Sequence, residues 1–246
     1  MKLLVCISKT PDTTSKISFK NNDTEYNGDG VTYILNPYDE WYALVRAIEL
    51  TEQHGGTVTV INVGPASNDI IIRKALAIGA TDAVRVDAEP ADAYTTAANI
   101  ASYAKDQGFN IIFTGKETID YNGSGLGSYI AEMLDLPYIS YATGLEMNGN
   151  TAVIHRDIEG GEEVCSVEGP FVLSAAKGLA EQRIPNMKGI MMAKSKPLTV
   201  IPPATSEARV QTVKFVLPPA KSGVKLIDPE NMDELVRLLH EEAKVI

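Results

Sequence analysis

The stretch with the clearest chemical potential runs from Gly115 to Ala131 and reads Gly-Lys-Glu-Thr-Ile-Asp-Tyr-Asn-Gly-Ser-Gly-Leu-Gly-Ser-Tyr-Ile-Ala. It follows an apolar run, Asn110–Thr114, and leads into a segment of helical period. Gly123, Gly125 and Gly127 would let backbone approach a ligand closely, because no Cβ stands in the way. The unpaired N–H groups and positive dipole end of the following helix favour phosphate. Ser124 and Ser128 could add hydroxyl donors. The spacing matches neither the Rossmann glycine fingerprint nor a phosphate loop ending in Gly-Lys-Ser/Thr. A tight strand-to-helix turn with no ligand would carry the same glycines.

Asn36-Pro37-Tyr38-Asp39-Glu40 opens another helix. Asn36 as the cap, Pro37 at the first helical position and acids in the first turn make a start signal that needs no further function. No Gly-x-Ser-x-Gly elbow or His-Glu-x-x-His pair is present. Cys6 and Cys165 lie outside any Cys-x-x-Cys pattern, and His54, His155 and His240 lack zinc spacing. The thiols read as buried residues of a reducing compartment and His155 as structural. The expectation is no catalytic residue and no metal.

The elements that must position these residues alternate along the first half. Leu3–Ser8, Thr57–Val63, Ala83–Val86 and Asn110–Thr114 are short apolar runs, as expected of parallel strands covered on both faces. Between them lie four sets at helical spacing: Trp41, Leu44, Val45 and Ile48; Ile72, Ala75, Leu76 and Gly79; Tyr94, Ala97, Ala98 and Ala101; Leu126, Tyr129, Ile130 and Met133. The alternation predicts an α/β fold, a doubly wound and mostly parallel sheet of Rossmann-like type. An Asn/Asp/Gly-rich excursion or hairpin breaks it between Ile17–Phe19 and Val31–Leu35. Beyond Pro137, Thr143–Met147, Thr151–Ile158, Glu162–Val167 and Phe171–Ala175 read as strands with glycine turns between the first three. Lys177–Ala220, rich in Pro, Lys and Ala, shows no helical period and reads as an extended arm lying on a partner. A final helix is expected with Asp228 as N-cap and Pro229 first, presenting Leu235, Val236, Leu238 and Leu239. The division expected is 1–175, a nucleotide-binding domain with a hairpin extension, and 176–246, a recognition loop, arm and terminal helix.

The chain has 246 residues, 44% hydrophobic and 22% charged, with formal net charge −10. That balance argues against nucleic acid, which needs basic surface. No run of about 20 apolar residues is present for stable membrane insertion, and the chain enters a strand at once without a leader pattern. A cytoplasmic location is expected.

Taken in order, the motifs resemble the beta subunit of electron transfer flavoproteins over nearly the whole chain. Leu4–Asp12 is similar to that family's opening strand and Lys-x-x-Pro-Asp. Asn36–Glu40 is similar to Asn-Pro-x-x-Glu, Val63-Gly64-Pro65 and Arg73–Asp82 to its Gly-Pro and Ala-Leu-Ala-x-Gly-Ala-Asp stretches, and Arg156–Gly161 to its acidic hairpin. Glu181, Arg183, Ile190-Met191 and Ala193-Lys194 fit its C-terminal signature. The resemblance implies a heterodimer whose alpha subunit holds the main FAD, with AMP or a second FAD in this chain. It implies an electron carrier rather than an enzyme, serving acyl-CoA or other flavin dehydrogenases, as in fatty acid oxidation. Carried over by position, the nucleotide site is Cys6, Asn36, Pro37, Tyr38, Asp39, Val63, Gly115, Lys116, Asp120, Asn122, Gly123, Ser124, Gly125, Leu126, Gly127 and Ser128. Partner recognition falls to Met187, where the family usually has Leu, with Arg183 and Glu181. The family usually has Gln where Gly125 stands, then Thr-Gly-Gln in AMP-type members and Val-Gly-Pro in bifurcating ones. Leu126-Gly127-Ser128 matches neither set fully and leaves the nucleotide open. The alternatives are a beta subunit of an electron-bifurcating, NADH-oxidising flavoprotein, which would be enzymatic, and a stand-alone nucleotide-binding module.

Overall fold

The computed structural model describes residues 1–220 and 223–246. The span 176–246 therefore includes two residues outside those described. β1 (Lys2–Cys6) is followed by an excursion containing β2 (Lys9–Pro11), β3 (Phe19–Lys20), β4 (Glu25–Tyr26) and β5 (Tyr33–Leu35). Within it β2 pairs with β5 and β3 with β4, both antiparallel. Then come α1 (Asp39–His54), β6 (Thr57–Val63), α2 (Asp69–Ile78), β7 (Asp82–Val86), α3 (Ala93–Ala104), β8 (Ile111–Gly115) and α4 (Leu126–Leu134). The second half adds β9 (Tyr138–Asn148), β10 (Thr151–Ile158), β11 (Gly161–Glu168), β12 (Phe171–Ala175), α5 (Met187–Ala193), β13 (Leu198–Ile201) and α6 (Met232–Arg237), which runs into a π-helical turn, Leu238–Ala243.

One nine-stranded sheet has the order β11-β10-β9-β12-β8-β1-β6-β7-β13. Pairing is parallel from β9 through β13 and antiparallel only at β9-β10-β11. β1 lies at its centre, and successive β1 side chains point to opposite faces. Leu3 and Val5 join a cluster with Trp41, Leu44 and Ile48 of α1 and Ile72 and Leu76 of α2. Leu4 and Cys6 join the other cluster, with Ala97 and Ile100 of α3 and Ile130 of α4. The expected doubly wound, mostly parallel sheet is present. Burying an aliphatic side chain such as Leu44 stabilises the fold by about 1.5–3 kcal/mol.

The reading of Lys177–Ala220 as irregular throughout is corrected at two places. α5 packs on α2 so closely that a Cβ at Gly189 would lie 2.4 Å from the Ala77 carbonyl oxygen. β13 pairs in parallel with β7 and extends the sheet. Arg73 donates to the carbonyls of Ala193 at 2.8 Å and Lys196 at 2.6 Å, while Lys196 Nζ donates to those of Leu76 and Ala80 at the end of α2. Past β13, Ala204 N–H donates to Asn99 Oδ1 at 2.8 Å, and the N–H groups of Arg209 and Val210 to Asp92 Oδ2 at 2.6 and 3.1 Å. Phe215 then stacks on Phe19, with centroids 4.8 Å apart. The segment thus passes from the start of α3 to the β3-β4 hairpin.

The last helix also differs from expectation. Its N-cap is Asn231, whose side chain accepts from Glu234 N–H, while Asp228 closes a local turn with Glu230 N–H. None of its residues is buried. Among the described residues, no helix is long and apolar enough to cross a membrane.

Candidate functional site

Parallel α/β sheets bind ligands beyond the carboxyl ends of their strands, where neighbouring connections diverge. Here β1 is flanked by β6 and β8. Cys6 ends β1, Val63 ends β6, Gly115 ends β8, and Asn36 N–H donates to Ser8 O at 3.0 Å just past β1. The fold thus gathers Cys6, Asn36, Val63 and the loop after β8 at one edge.

Asn36 does not cap α1. The residue before that helix is Tyr38, which makes no side-chain cap bond and has φ 66° and ψ −112°. Asn36 is fully buried and its amide bridges two loops: Nδ2 donates to Ser8 Oγ at 3.2 Å, and Oδ1 accepts from Ile119 N–H at 3.3 Å. A cap would have used its oxygen on the helix's own first turn; this one fastens the loop after β8 to the end of β1. Tyr38 is exposed and Asp39 buried. Burial raises the Asp39 carboxyl above its usual range, against the pull of Lys116. Lys116 Nζ reaches Glu117 at 3.1 Å and Asp39 at 4.0 Å, and these partners hold its ammonium well protonated despite partial burial.

The loop itself is bent by left-handed residues, Asn122 at φ 51° and Ser124 at φ 48°, and enters α4 through Gly125. No side chain caps the start of α4, so no cap occupies the first-turn N–H groups at its positive dipole end. Nothing lies within 4 Å of where a Gly123 Cβ would stand. Asp120, Asn122 and Gly123 are exposed; Ser124, Gly125 and Leu126 are half-buried. Two neighbours have other reasons for their identity. A Cβ at Gly127 would meet the Tyr138 ring at 2.7 Å and Thr114 Oγ1 at 2.9 Å, so this glycine lets α4 pack on the sheet. Ser128 Oγ donates back to Gly125 O at 2.8 Å. The arrangement can receive an anion through backbone N–H groups, with Lys116 the nearby cation.

Three groups beneath this edge were not read as site residues from sequence. Glu40, expected as a first-turn acid and as the last residue of the Asn-Pro-x-x-Glu stretch, is buried and accepts from Ser8 N–H at 2.6 Å and Ser8 Oγ at 2.9 and 3.1 Å. Its place four residues before Leu44, on the apolar stripe of α1, is the signal that could have found it. Asn62 Nδ2 donates to Ile7 O and Asn62 Oδ1 accepts from Asn68 Nδ2, both at 2.9 Å, beneath Gly64. Arg85, nearly fully buried, donates to Gly64 O at 3.0 Å and pairs with Asp69 at 2.8 Å and with Asp87. Together they fix the turn after β6.

Cys6 is buried, and burial first, then Glu40, raises its thiol well above the ordinary range. Cys165, expected buried, is only half-buried on β11, because that strand forms the sheet edge. His155 on β10 pairs with Glu162 of β11 at 2.9 Å on exposed surface.

The residues expected to recognise a partner lie elsewhere. Arg183 forms a two-pronged pair with Glu52 at 2.7 and 3.0 Å, and Trp41 Nε1 donates to its carbonyl at 3.3 Å. Asn186 caps α5 by accepting from Gly189 N–H at 2.8 Å. Met187, first in α5, is 73% exposed, beside exposed Ile184, Met191 and Met192. Glu181 is exposed and no hydrogen bond links it to Met187.

Comparison with known proteins shows the family. Residues 25–206 match the family model described as the electron transfer flavoprotein domain. The chain is 38% identical to the electron transfer flavoprotein subunit beta of Bacillus subtilis (strain 168), with 100% of each chain covered. It is 36% identical to the protein of the same name in Syntrophomonas wolfei, covering 93% of this chain and 90% of that one. It is 29% identical to the caffeyl-CoA reductase-Etf complex subunit CarD of Acetobacterium woodii, covering 99% and 98%.

Proposed function

The chain belongs to the electron transfer flavoprotein family as a beta-type subunit, and from that premise we propose that it pairs with an alpha subunit and holds an adenine nucleotide at the edge formed by β1, β6 and β8. The complex carries electrons between flavin dehydrogenases, such as acyl-CoA dehydrogenases, and a downstream acceptor. FAD, held mainly by the alpha subunit, supplies the electron-accepting ring. This chain's residues bind and position rather than react. Residues 1–175 form the nucleotide-binding part, and 176–246 carry the recognition helix α5, the arm and a terminal helix for the partner. Unpaired cysteines fit a reducing compartment, the cytoplasm.

The observation that carries the nucleotide assignment is the convergence of Asn36, bonded to Ile119 N–H, with an uncapped helix start and an open Gly123. Backbone N–H groups at such a start hold phosphate. The bifurcating alternative is favoured by one finding, the full-length likeness to a subunit named for a reductase-Etf complex. The two readings differ in cargo. Denaturing the purified complex and identifying the released nucleotides by mass spectrometry should give AMP and FAD in equal amounts for the carrier, and two FAD without AMP for the bifurcating type. Release of no adenine nucleotide beyond the alpha subunit's FAD would overturn the assignment of a nucleotide to this chain.

A further inference from the structure

Glu40 is 3% exposed, and both carboxyl oxygens face one residue, Ser8, through its N–H and its hydroxyl. Ser8 Oγ also meets Asn36 Nδ2, and Asn36 Oδ1 meets Ile119 N–H. A continuous relay therefore runs from inside α1, across the end of β1, into the loop after β8. Gly115 completes it: a Cβ there would stand 3.0 Å from Glu40 Cγ and 3.1 Å from Glu40 N. The charged and titratable groups facing Glu40 are Asp39 on its own helix, Asp120 on the loop and Cys6 on β1. Lys116, the cation of this edge, pairs with Glu117 and Asp39 rather than with Glu40.

We propose that Glu40 is a positioning residue for the nucleotide, holding the loop through Ser8 and Asn36, and that its charge state sets how well the loop accepts an anionic phosphate. This rests on the nucleotide reading above. When neutral, the buried acid adds no charge of its own to the loop. When ionised, it adds a negative charge beneath a site already bordered by Asp39 and Asp120, in surroundings that screen it poorly. Burial pushes the Glu40 carboxyl up to about 8; the Ser8 donors pull it down, and Asp120 and Asp39 push it up further. An anion bound above it makes its proton harder to lose, so binding takes up a proton as pH rises through this range. By linkage, one such proton weakens binding by up to about tenfold per pH unit. The phosphate's own second ionisation, near ~6, lies below the window.

The test is calorimetric binding of AMP, and in parallel of FAD, to the nucleotide-stripped full chain between pH ~7 and ~9.5. The parent should lose roughly tenfold in affinity across that range, and titrations in buffers of different ionisation enthalpy should show net proton uptake. In Glu40→Gln the slope should vanish, because an amide can accept from Ser8 N–H and donate to Ser8 Oγ at any pH. Equal slopes in parent and Glu40→Gln, or no proton uptake by the parent, would overturn the role of Glu40 while leaving the nucleotide site standing. The uptake measurement needs no variant, so it decides even if Glu40→Gln does not fold. Failure of the parent to bind either nucleotide at any pH would overturn the site itself, and the proposal with it.

Discussion

Tyr38 turns the chain into α1 at φ 66° and ψ −112°, a region that costs a non-glycine residue about 1–3 kcal/mol. Half of its side chain is exposed beside Asn36 and Asp39, so the strain sits at the candidate site, where surrounding contacts hold it. Tyr38→Gly should relieve the strain, offset in part by the freer unfolded chain, which costs about 0.5–1 kcal/mol. Denaturant unfolding of the nucleotide-free variant should show a gain of about 1 kcal/mol, with weaker AMP binding if the ring helps form the site. A loss of stability would mean that this conformation carries no strain. Gly125 is the complementary case. Its backbone is ordinary for a side chain, and a Cβ would meet the Tyr129 ring at 3.4 Å and Gly123 O at 3.6 Å, both ordinary contacts. Gly125→Val should therefore leave the fold intact while placing bulk at the helix start proposed to hold phosphate. Unchanged nucleotide content would remove the loop from the site. At neither position was the geometry visible in the sequence. The Asn-Pro pair named the helix start but not that the chain would delay it two residues and turn Asn36 inward.

At the scale of elements, Asp92 joins the arm to the core. Oδ1 accepts from Thr95 N–H at 2.7 Å, capping α3, while Oδ2 takes Arg209 N–H and Val210 N–H. Partial burial would raise this carboxyl, but the backbone donors of Thr95 and Arg209 outweigh it and hold the group down to about 2. Its folded value is thus depressed, so its contribution is present above the unfolded value and is lost as pH falls from near ~4 towards ~2. Asp92→Asn keeps one oxygen and should retain the cap while releasing the arm, whereas Asp92→Ala should lose both, at about 1 kcal/mol for the cap. Trypsin cleavage at Arg209 should quicken in both variants, and only the alanine variant should melt earlier. Unaltered cleavage would show that the arm is fixed by other contacts. The parallel strands β6 and β12 were legible because each buries a short apolar run on both faces, and the antiparallel β10 also falls where the sequence puts it. α5 and β13 were not. One is seven residues long with a glycine inside it, and the other four residues between prolines, too short for either period to emerge. The glycine loop was legible as a possible phosphate site, but Glu40 was not, because a first-turn acid and a buried acid look alike until the stripe of α1 is placed on the core.

Across the whole molecule, apolar surface is left uncovered where the chain has least structure of its own. Val210, Val213, Val216, Val224 and Leu226 are exposed, and α6 with its π-helical turn buries nothing. A helix this short is marginal in water, since isolated helices below about 12–15 residues rarely repay nucleation. Ordering the arm costs conformational entropy that a solvent-facing arm cannot recover. Contact with a second chain removes that difficulty, which is the physical case against a stand-alone module. Amide hydrogen exchange on the isolated chain should be fast over 210–220 and 223–246, apart from amides held at Asp23 and Asp92, and slow across β1, β6 and β8. With the alpha subunit present, the arm and terminal helix should gain protection together, and flavin colour should appear in the complex where the isolated chain shows little. Protection of the terminal helix in the isolated chain, or tightly held FAD on it alone in stoichiometric amount, would contradict this division of labour. Tightly held FAD would also favour the bifurcating reading, since the second flavin would then belong to the site formed by β1, β6 and β8.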